Sequence, residues 1–363
     1  MPEKKFNVGL IGVGNISPAY IKGTAAFDVL NLVACADLDM AKANQVAADN
    51  GIAACSVQDL LDDPSIEIVV NLTIPAAHAE ISLQALHKGK HVYSEKPLAT
   101  SLDDAKAMVA LAEANGLRLG CAPDTFLFGQ HQTARKALDD GLIGAPVAAV
   151  GFHAQHGPES WHPNPDFFYA HGGGPMLDMG PYYITCLVNL FGAVARVSGV
   201  ARASFPTRTA GDGHSIPVST PTHCTGVIEF ESGVSATLIT SFDVWGHRLP
   251  IMEVYGASGT LTIPDPNGFN PTETRLYVPN KHDWEVLPIA YPTEWARGIG
   301  LADMAYGILE GRPHRASGQL AYHVLEVMLA FEQAYSSGTY VTLSSRCDRP
   351  TALSPNSTAR LLL

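Results

Sequence analysis

The chain has 363 residues, of which 46% are hydrophobic and 16% are charged, and its formal net charge is −12. This composition is typical of a folded globular protein, and the length suits two domains of ordinary size. The negative charge argues against a nucleic-acid partner, and no apolar run approaches the roughly 18–20 residues that a membrane span needs.

Six cysteines are scattered along the chain without a CxxC pair or a metal-finger spacing. Most of them stand in apolar sequence, so we expect buried free thiols in a reducing compartment, and the cytoplasm is the predicted location. The spacing predicts no metal site.

The first third of the chain alternates short apolar runs with amphipathic segments. The strand candidates are Phe6–Ile11, Asn31–Ala36, Ile66–Leu72, His91–Ser94 and Leu117–Cys121. The helix candidates include Ala77–His87 and Leu102–Ala114, and Ser101 is a suitable N-cap for the second of these. Strands that alternate with helices predict βαβ units and a parallel sheet.

A glycine-rich turn follows the first strand candidate. Gly12, Gly14 and Ser17 stand in G-x-G-x-x-small spacing, which suits a tight turn, a close approach to a pyrophosphate and close packing of helix on strand. The N-terminus of the following helix would direct free N–H groups at the phosphates. We therefore expect Gly12, Gly14, Asn15 and Ile16 to bind a dinucleotide.

An acidic residue ends the second strand candidate. Asp37 stands 23 positions after Gly14, close to the offset of about 20 residues expected for a carboxylate that binds the adenosine ribose. The carboxylate would repel a 2′-phosphate, and Leu38 beside it offers no cation. These two residues favour NAD over NADP as the cofactor, and an ordinary strand-end cap is the alternative for Asp37.

After about residue 125 the pattern changes to one helix candidate, Gln130–Asp139, followed by β-rich sequence. The turns Ser232–Gly233 and Ser258–Gly259 each separate two strand candidates, which predicts an antiparallel sheet. Helical patterns at Glu294–Leu309 and Gln319–Ser336 follow. The sequence thus predicts an α/β protein with two different sheets.

A lysine follows the fourth strand candidate, between Glu95 and Pro97. Lys96 would stand at the sheet edge where parallel sheets bind ligands and could hold a substrate hydroxyl, whereas a surface lysine in a turn is the alternative. The glycine motif, Asp37, the T-x-P-x-x-H pattern, the E-K-P tripeptide and the stretch GGGPMLDMGPYY occur in this order. Together they resemble the glucose–fructose oxidoreductase/inositol dehydrogenase (Gfo/Idh/MocA) superfamily over essentially the whole chain.

The resemblance implies a Rossmann domain at residues 1–124 and a substrate-binding and oligomerisation α/β domain with an open, mostly antiparallel sheet at residues 125–363. It implies a homodimer or homotetramer, and a catalytic Lys96 whose bond to Pro97 is cis. The residues implied to line the cofactor are Thr73, Ile74, Pro75, His78, Glu95 and Lys96.

The stretch GGGPMLDMGPYY carries an acid and a phenol one helical turn apart. A helix that begins near Asp178 would place Pro181 in its first turn and Asp178 and Tyr182 on one face. Oxidation of an alcohol needs a base for the hydroxyl proton, and a lysine ammonium nearby would make Tyr182 a better base. Asp178 would orient the substrate, and the three glycines would let the backbone approach nicotinamide and substrate. A capping acid and a core tyrosine are the alternative.

The family pattern around this helix is usually D-x-G-x-H-x-x-D. In this chain Tyr182 stands at the histidine position and Thr185 at the second acid. The tyrosine form resembles the glucose–fructose oxidoreductase, dihydrodiol dehydrogenase and xylose dehydrogenase branches rather than inositol dehydrogenase.

A histidine- and aromatic-rich stretch precedes this helix. We expect it to be a substrate loop in which His156, Trp161 and His162 bind a sugar, with core packing as the alternative. Asp124 and Phe126 follow the last strand of the first domain and are expected to face the same cleft.

These features predict an NAD-dependent oxidoreductase that transfers a hydride between nicotinamide and a carbinol of a sugar, glycoside or polyol. Two alternatives stay open. One is a non-catalytic dinucleotide-sensing regulator, and the other is an enzyme that cleaves glycosides through a 3-keto intermediate.

Overall fold

A computed structural model describes residues 4–268, 273–292 and 297–354. The strands of the first half are β1 (Phe6–Ile11), β2 (Leu30–Ala36), β3 (Ala53–Cys55), β4 (Ile68–Asn71), β5 (His91–Ser94), β6 (Leu119–Cys121) and β7 (Pro146–Ala154). The strands of the second half are β8 (Val194–Arg202), β9 (Thr207–Thr209), β10 (Ser215–Pro217), β11 (His223–Phe230), β12 (Ser235–Ser241), β13 (Met252–Gly256), β14 (Gly259–Ile263), β15 (Thr274–Val278), β16 (Asp283–Leu287) and β17 (Val341–Thr342).

The α-helices are α1 (Ser17–Ala25), α2 (Met40–Asn50), α3 (Val57–Asp62), α4 (His78–His87), α5 (Leu102–Ala114), α6 (Gly129–Asp139), α7 (Gly174–Phe191), α8 (Ile299–Glu310) and α9 (Gly318–Ser337). Short 3-10 turns lie at Pro75–Ala77, Thr125–Leu127, Pro158–Ser160 and Asp166–Phe168. The helix candidate Glu294–Leu309 begins outside the described residues, and its described part corresponds to α8.

The described residues form two compact units. The first contains the chain up to Phe128, the segment Tyr291–Tyr322 and the chain from Leu353, and the second contains Gly129–Ala290 and His323–Ala352. These units differ from the expected contiguous ranges 1–124 and 125–363, because the segment that carries α8 packs on the first sheet. Within unit 1 the Cys121 amide donates to the Ala316 carbonyl at 3.1 Å, which joins β6 to that segment.

The sheet of unit 1 has six strands in the order β3-β2-β1-β4-β5-β6, and every pair is parallel. This is the predicted fold class. The order reverses between β1 and β4, so the loops after β1, β2, β4 and β5 meet at the carboxyl edge, where such sheets bind dinucleotides. The short strand β3 was not predicted, because its three residues are too few to show the apolar run or the alternation that indicates a strand.

The sheet of unit 2 has nine strands in the order β16-β15-β14-β13-β7-β12-β11-β8-β17. Among the described strand pairs of this sheet β7 and β12 run parallel and the others are antiparallel, so the predicted open and mostly antiparallel sheet is confirmed. The β11–β12 hairpin turns at Gly233, whose φ of +86° suits glycine. Helix α7 packs on the middle of this sheet, against β7, β11 and β12.

Helix α7 begins at Gly174, four residues before the predicted start. Pro175 therefore occupies the first turn, and Pro181 lies inside the helix rather than in its first turn. The glycines at the start of the helix are required by packing within unit 2: a Cβ on Gly173 would lie 2.5 Å from the Phe167 carbonyl oxygen, and one on Gly174 would lie 2.6 Å from that of Pro221.

All six cysteines are free, and four of them are buried. Among the described residues, no helix combines the length and the apolar character required to cross a bilayer.

Candidate functional site

The two glycines of the first loop have different surroundings. Gly12 has a φ of +97°, and a Cβ there would lie 2.7 Å from the Leu72 carbonyl oxygen, so the turn packs tightly on the end of β4. Gly14 is exposed, and apart from its chain neighbours a Cβ there would meet no atom of the described residues within 4 Å. Gly12 therefore serves the fold, whereas Gly14 leaves open space into which a ligand can approach the backbone.

Helix α1 begins directly behind this open space. Asn15 is exposed and Ile16 is half-buried. The Ser17 hydroxyl donates to the Gly14 carbonyl at 2.8 Å, and Pro18 lies in the first turn, where its missing N–H has no helical partner to lose. The first N–H groups of the helix and its positive dipole end suit a pyrophosphate.

Asp37 lies at the end of β2, beside the glycine loop. Its Oδ2 accepts a hydrogen bond from the Val13 amide at 2.8 Å, and its Oδ1 accepts one from the Asp39 amide at 2.9 Å. These bonds fix the carboxylate but leave each oxygen a lone pair for a ribose hydroxyl. Leu38 beside it is 97% exposed and adds no charge. The geometry of Gly14, Asp37 and α1 fits the nucleotide half of a nicotinamide cofactor.

The loop after β4 holds the predicted Thr73, Ile74 and Pro75. The Thr73 hydroxyl donates to Asn71 Oδ1 at 2.7 Å. Asn71 in turn donates to the His78 carbonyl and to Ser82, so it ties this loop to α4. Ile74 is 68% exposed, an apolar side chain presented at the carboxyl edge of the sheet. Asn71 was missed by the sequence analysis, although a polar residue that ends a buried strand is a signal.

Lys96 follows β5, and its peptide bond to Pro97 is cis, as the resemblance implied. Its side chain is half-buried. His78 lies under this loop, 1% exposed, with one ring nitrogen 2.7 Å from the Pro97 carbonyl oxygen and the other 3.0 Å from that of Thr73. Burial lowers the pKa of His78. Whereas His78 was expected to line the cofactor, its ring is occupied in joining the Thr73 loop to the Lys96 loop.

Three other predicted site residues are buried inside unit 1. Glu95 is 7% exposed, and its carboxylate accepts a hydrogen bond from Tyr20 at 2.7 Å. Asp124 is fully buried and accepts the amides of Gly298 and Gly300 at 2.9 and 3.1 Å, which caps the start of α8. Phe126 is 2% exposed. Glu95 was expected to line the cofactor, and Asp124 and Phe126 were expected to face a cleft. In the structure their side chains are buried within unit 1.

Asp178 and Tyr182 lie one turn apart on α7 in unit 2, as predicted. Asp178 is half-buried and Tyr182 is 4% exposed. The neighbouring Tyr183 points to a different environment, because its hydroxyl lies 3.5 Å from the Phe152 carbonyl oxygen. Burial raises the pKa of Tyr183, so this phenol stays protonated at ordinary pH.

The predicted substrate loop of unit 2 exposes aromatic side chains. The His156 ring stacks on Trp245 with 3.7 Å between centroids, and Trp245 is 85% exposed. Trp161 is 67% exposed, and His162 contacts it edge-on at 5.6 Å. Flat exposed rings of this kind suit the apolar faces of sugar rings.

A buried ionic network supports the His156 ring and was not predicted. Glu159 lies 3.3 Å from His156 Nδ1 and accepts a hydrogen bond from Tyr169. Arg208 donates to Asp243 Oδ1 at 2.7 Å and lies beside Glu159. The members lie on separate strands and loops, so no sequence spacing indicates the network.

No group of three or more histidine, cysteine, aspartate or glutamate side chains that would suit a metal ion occurs among the residues that the structure describes.

Two family models match the chain. One, described as "Oxidoreductase family, NAD-binding Rossmann fold", matches residues 6–122, and the other, described as "GFO/IDH/MocA C-terminal domain", matches residues 131–262.

The chain is similar in sequence to two curated enzymes, in each case over part of its length. The chain is 34% identical over 177 residues to a 1,5-anhydro-D-fructose reductase of Ensifer adhaerens, a match over 47% of this chain and 52% of that protein, or about half its length. It is 26% identical over 266 residues to a scyllo-inositol 2-dehydrogenase (NAD(+)) of Bacillus subtilis (strain 168), covering 72% of this chain and 74% of that protein.

A solved structure of levoglucosan dehydrogenase in complex with NADH and L-sorbose superposes with a TM-score of 0.83. The match covers 94% of this chain and 99% of that chain at 22% identity, and at this identity it shows the shared fold alone.

Proposed function

From the premise that the chain belongs to the Gfo/Idh/MocA family of oxidoreductases, we propose that it is an NAD-dependent dehydrogenase or reductase of a sugar, glycoside or polyol. The observation that carries the proposal is the carboxyl edge of the unit 1 sheet. There the open space at Gly14, the fixed carboxylate of Asp37 and the half-buried Lys96 follow the ends of β1, β2 and β5.

The cofactor residues have separate tasks. Gly14 and the start of α1 bind the pyrophosphate, and Asp37 binds the ribose hydroxyls. Leu38 and Ile74 offer apolar contact, since both are exposed at the sheet edge. When bound, a nicotinamide ring supplies hydride transfer to or from a carbinol carbon. The carboxylate of Asp37 supports NAD rather than NADP, because a 2′-phosphate beside it would meet like charge.

The residues for proton transfer are proposed from the sequence pattern. Lys96 binds the reacting hydroxyl through its ammonium group, and Tyr182 takes or returns the proton of that hydroxyl. Asp178 orients the substrate by accepting a hydrogen bond from a second substrate hydroxyl. Half-burial of Lys96 and Asp178 supports these tasks, since part of the surface of each residue stays accessible.

A carbohydrate substrate is supported by two observations. The relatives named above are a reductase of an anhydro sugar and an inositol dehydrogenase. The exposed rings of Trp161 and Trp245, the second stacked on His156, add surfaces suited to sugar stacking.

A homodimer or homotetramer is also proposed. The nine-stranded sheet of unit 2 ends in β16, where Val286 is 48% exposed and Trp284 is 37% exposed. An edge strand with exposed apolar side chains favours association with a second copy. Light scattering on the purified protein measures the mass of the particle and tests this proposal.

The test of the activity is a substrate screen. Purified protein is mixed with NAD or NADP and a panel of aldoses, ketoses, anhydro sugars, glycosides and inositols, and NADH absorbance is followed in both directions. Turnover of at least one polyhydroxylated substrate is expected, with NAD preferred. Binding of NAD without turnover of any substrate would favour a dinucleotide sensor, and release of free aglycone from a glycoside would favour glycoside cleavage.

A further inference from the structure

The residue before Lys96 is the centre of a buried hydrogen-bonded cluster in unit 1. Glu95 Oε1 accepts the Tyr20 hydroxyl at 2.7 Å and lies 3.3 Å from Arg297 Nη1, while its Oε2 accepts the main-chain amide of Lys96 at 3.1 Å. We call Tyr20, Glu95 and Arg297 the Glu95 anchor. Each member is at most 7% exposed. A buried carboxylate is tolerated when it has such a cation and donors.

Tyr20 and Arg297, the two side-chain donors of the anchor, are both fixed by the structure around them. Tyr20 lies on α1, and burial raises the pKa of its phenol, so the hydroxyl stays a donor. The main chain at Arg297 packs directly on α1, because a Cβ on Gly23 would overlap the Arg297 carbonyl oxygen at 1.6 Å. Asp124 binds the amides of Gly298 and Gly300, which fixes the chain just after Arg297.

The main chain of the Lys96 loop is thereby bound on both sides. Glu95 accepts the Lys96 amide, and His78 lies 2.7 Å from the carbonyl oxygen of Pro97. The side chain of Lys96 is half-buried. A catalytic group needs such support, because displacement by about 1 Å can lower a rate about 100-fold.

We propose that Arg297 is a positioning residue for Lys96, which acts through the carboxylate of Glu95, with Tyr20 as the second support. The inference rests on the proposed function for the role of Lys96 in catalysis. Arg297 itself contacts neither substrate nor cofactor in this proposal. Its positive charge balances Glu95, and its guanidinium holds the carboxylate in the orientation that binds the Lys96 amide.

The experiment compares Arg297→Gln, Arg297→Lys and a matched control, Arg315→Gln. Arg315 is also a buried arginine of unit 1, 8% exposed, and pairs with the buried Asp303 instead of Glu95. The measurements are kcat and KM with NAD and the best sugar of the screen, the pH profile of kcat/KM, the Kd for NAD, and thermal stability.

Arg297→Gln is expected to lower kcat by about 10- to 100-fold while the Kd for NAD changes by less than about threefold. The pH at which kcat/KM reaches half its maximum is expected to rise. The reason is that a Glu95 carboxylate without the arginine charge beside it favours the protonated form of neighbouring groups such as Lys96. Arg297→Lys is expected to restore much of kcat, since it keeps a positive charge beside Glu95. Arg315→Gln is expected to lower stability and to leave kcat and the pH profile unchanged.

A second readout does not need activity. Competitive labelling of amines by acetic anhydride, followed by mass spectrometry, gives the reactivity of Lys96 relative to Lys136 on the surface of unit 2. If the reactivity of Lys96 changes in Arg297→Gln and not in Arg315→Gln, the inference is supported even when no substrate is turned over. In that case the proposed function fails and the positioning of Lys96 by Arg297 stands. Should Arg297→Gln not fold, Tyr20→Phe removes only the hydroxyl donor to Glu95 and is expected to lower the reactivity of Lys96. Unchanged Lys96 reactivity and pH profile in the folded variant would overturn the inference, as would equal changes in Arg315→Gln.

Discussion

The carboxylate of Asp37 accepts the main-chain amide of Val13 at 2.8 Å, which joins the end of β2 to the glycine loop after β1. Val13 stands between the two glycines, so this bond sets the conformation of the loop and the orientation of the carboxylate together. Asp37 follows β2 at the edge of the sheet that carries the cofactor proposal, and each of its oxygens keeps a lone pair for a ribose hydroxyl.

Replacement of Asp37 tests cofactor choice. Asp37→Ala is expected to lower kcat/KM for NAD by about 10- to 100-fold, because hydrogen bonds to a charged group contribute about 1.5–3 kcal/mol. The effect on NADP is expected to be smaller or reversed, since the like charge is removed. Asp39→Asn is the matched control, because it removes a charge two residues away and retains a good N-cap for α2. An equal loss for NAD and NADP in Asp37→Ala would contradict the assignment.

Substitutions of the two glycines of the loop are expected to have opposite effects, one on stability and the other on NAD binding. Gly12→Ala is expected to destabilise the protein by at least about 1–3 kcal/mol, because its φ is +97° and the added Cβ would meet the Leu72 carbonyl. Gly14→Ala is expected to leave thermal stability within about 0.5 kcal/mol and to weaken NAD binding by about tenfold or more. Calorimetry of unfolding and of NAD binding measures both. If Gly14→Ala bound NAD normally, the cofactor would lie elsewhere.

Removal of the Lys96 amine tests the catalytic assignment. Lys96→Ala is expected to lower kcat by about 10²- to 10⁴-fold, the range for a lost catalytic group, and to leave the Kd for NAD nearly intact. Stopped-flow and steady-state rates with the best substrate measure kcat. Full turnover in this variant would mean that the proposed mechanism is wrong.

Two adjacent tyrosines of α7 allow a matched comparison. Tyr182→Phe is expected to lower kcat by about 10²- to 10⁴-fold, because it removes the proposed base while retaining the ring. Tyr183→Phe retains the ring of a buried neighbour whose hydroxyl lies a long 3.5 Å from the Phe152 carbonyl oxygen, and kcat is expected to stay within about twofold. Equal kcat values in the two variants would mean that a group other than Tyr182 acts as the base.

Acid is expected to destabilise unit 1 through His314. This ring is buried, with Nε2 3.1 Å from the Leu119 carbonyl oxygen, and burial lowers the pKa of His314 to about 4. Between that value and the ordinary pKa of about 6.5 the unfolded chain binds more protons, so stability is present at neutral pH and is lost as the pH falls.

From pH 7 to pH 5 this one histidine lowers the free energy of unfolding by about 2 kcal/mol. His314→Gln, which keeps a donor for Leu119, is expected to reduce the loss by about that amount in urea titrations at the two pH values. The same loss in variant and wild type would show that His314 titrates normally in the folded protein.

The sequence by itself determined the local elements and the nucleotide motif of this protein. Apolar runs with short helical patterns between them predicted β1, β5 and α5 with their observed bounds, because strand and helix periods are local properties. The glycine motif and Asp37 were placed at the ends of the first two strand candidates, and these strands are neighbours in the parallel sheet, where Asp37 binds the Val13 amide of the glycine loop.

Only the tertiary structure decided what the polar residues around that motif do. Glu95 and Arg297 are 202 positions apart, and their contact depends on the return of the segment before α8 to the first sheet. Asp124 became a helix cap for the same reason. Glycines stand at the start of α7 because a Cβ on Gly173 would meet the Phe167 carbonyl oxygen and one on Gly174 would meet that of Pro221. Hydrogen-bond partners and steric limits of this kind come from distant parts of the chain, which local sequence patterns do not encode.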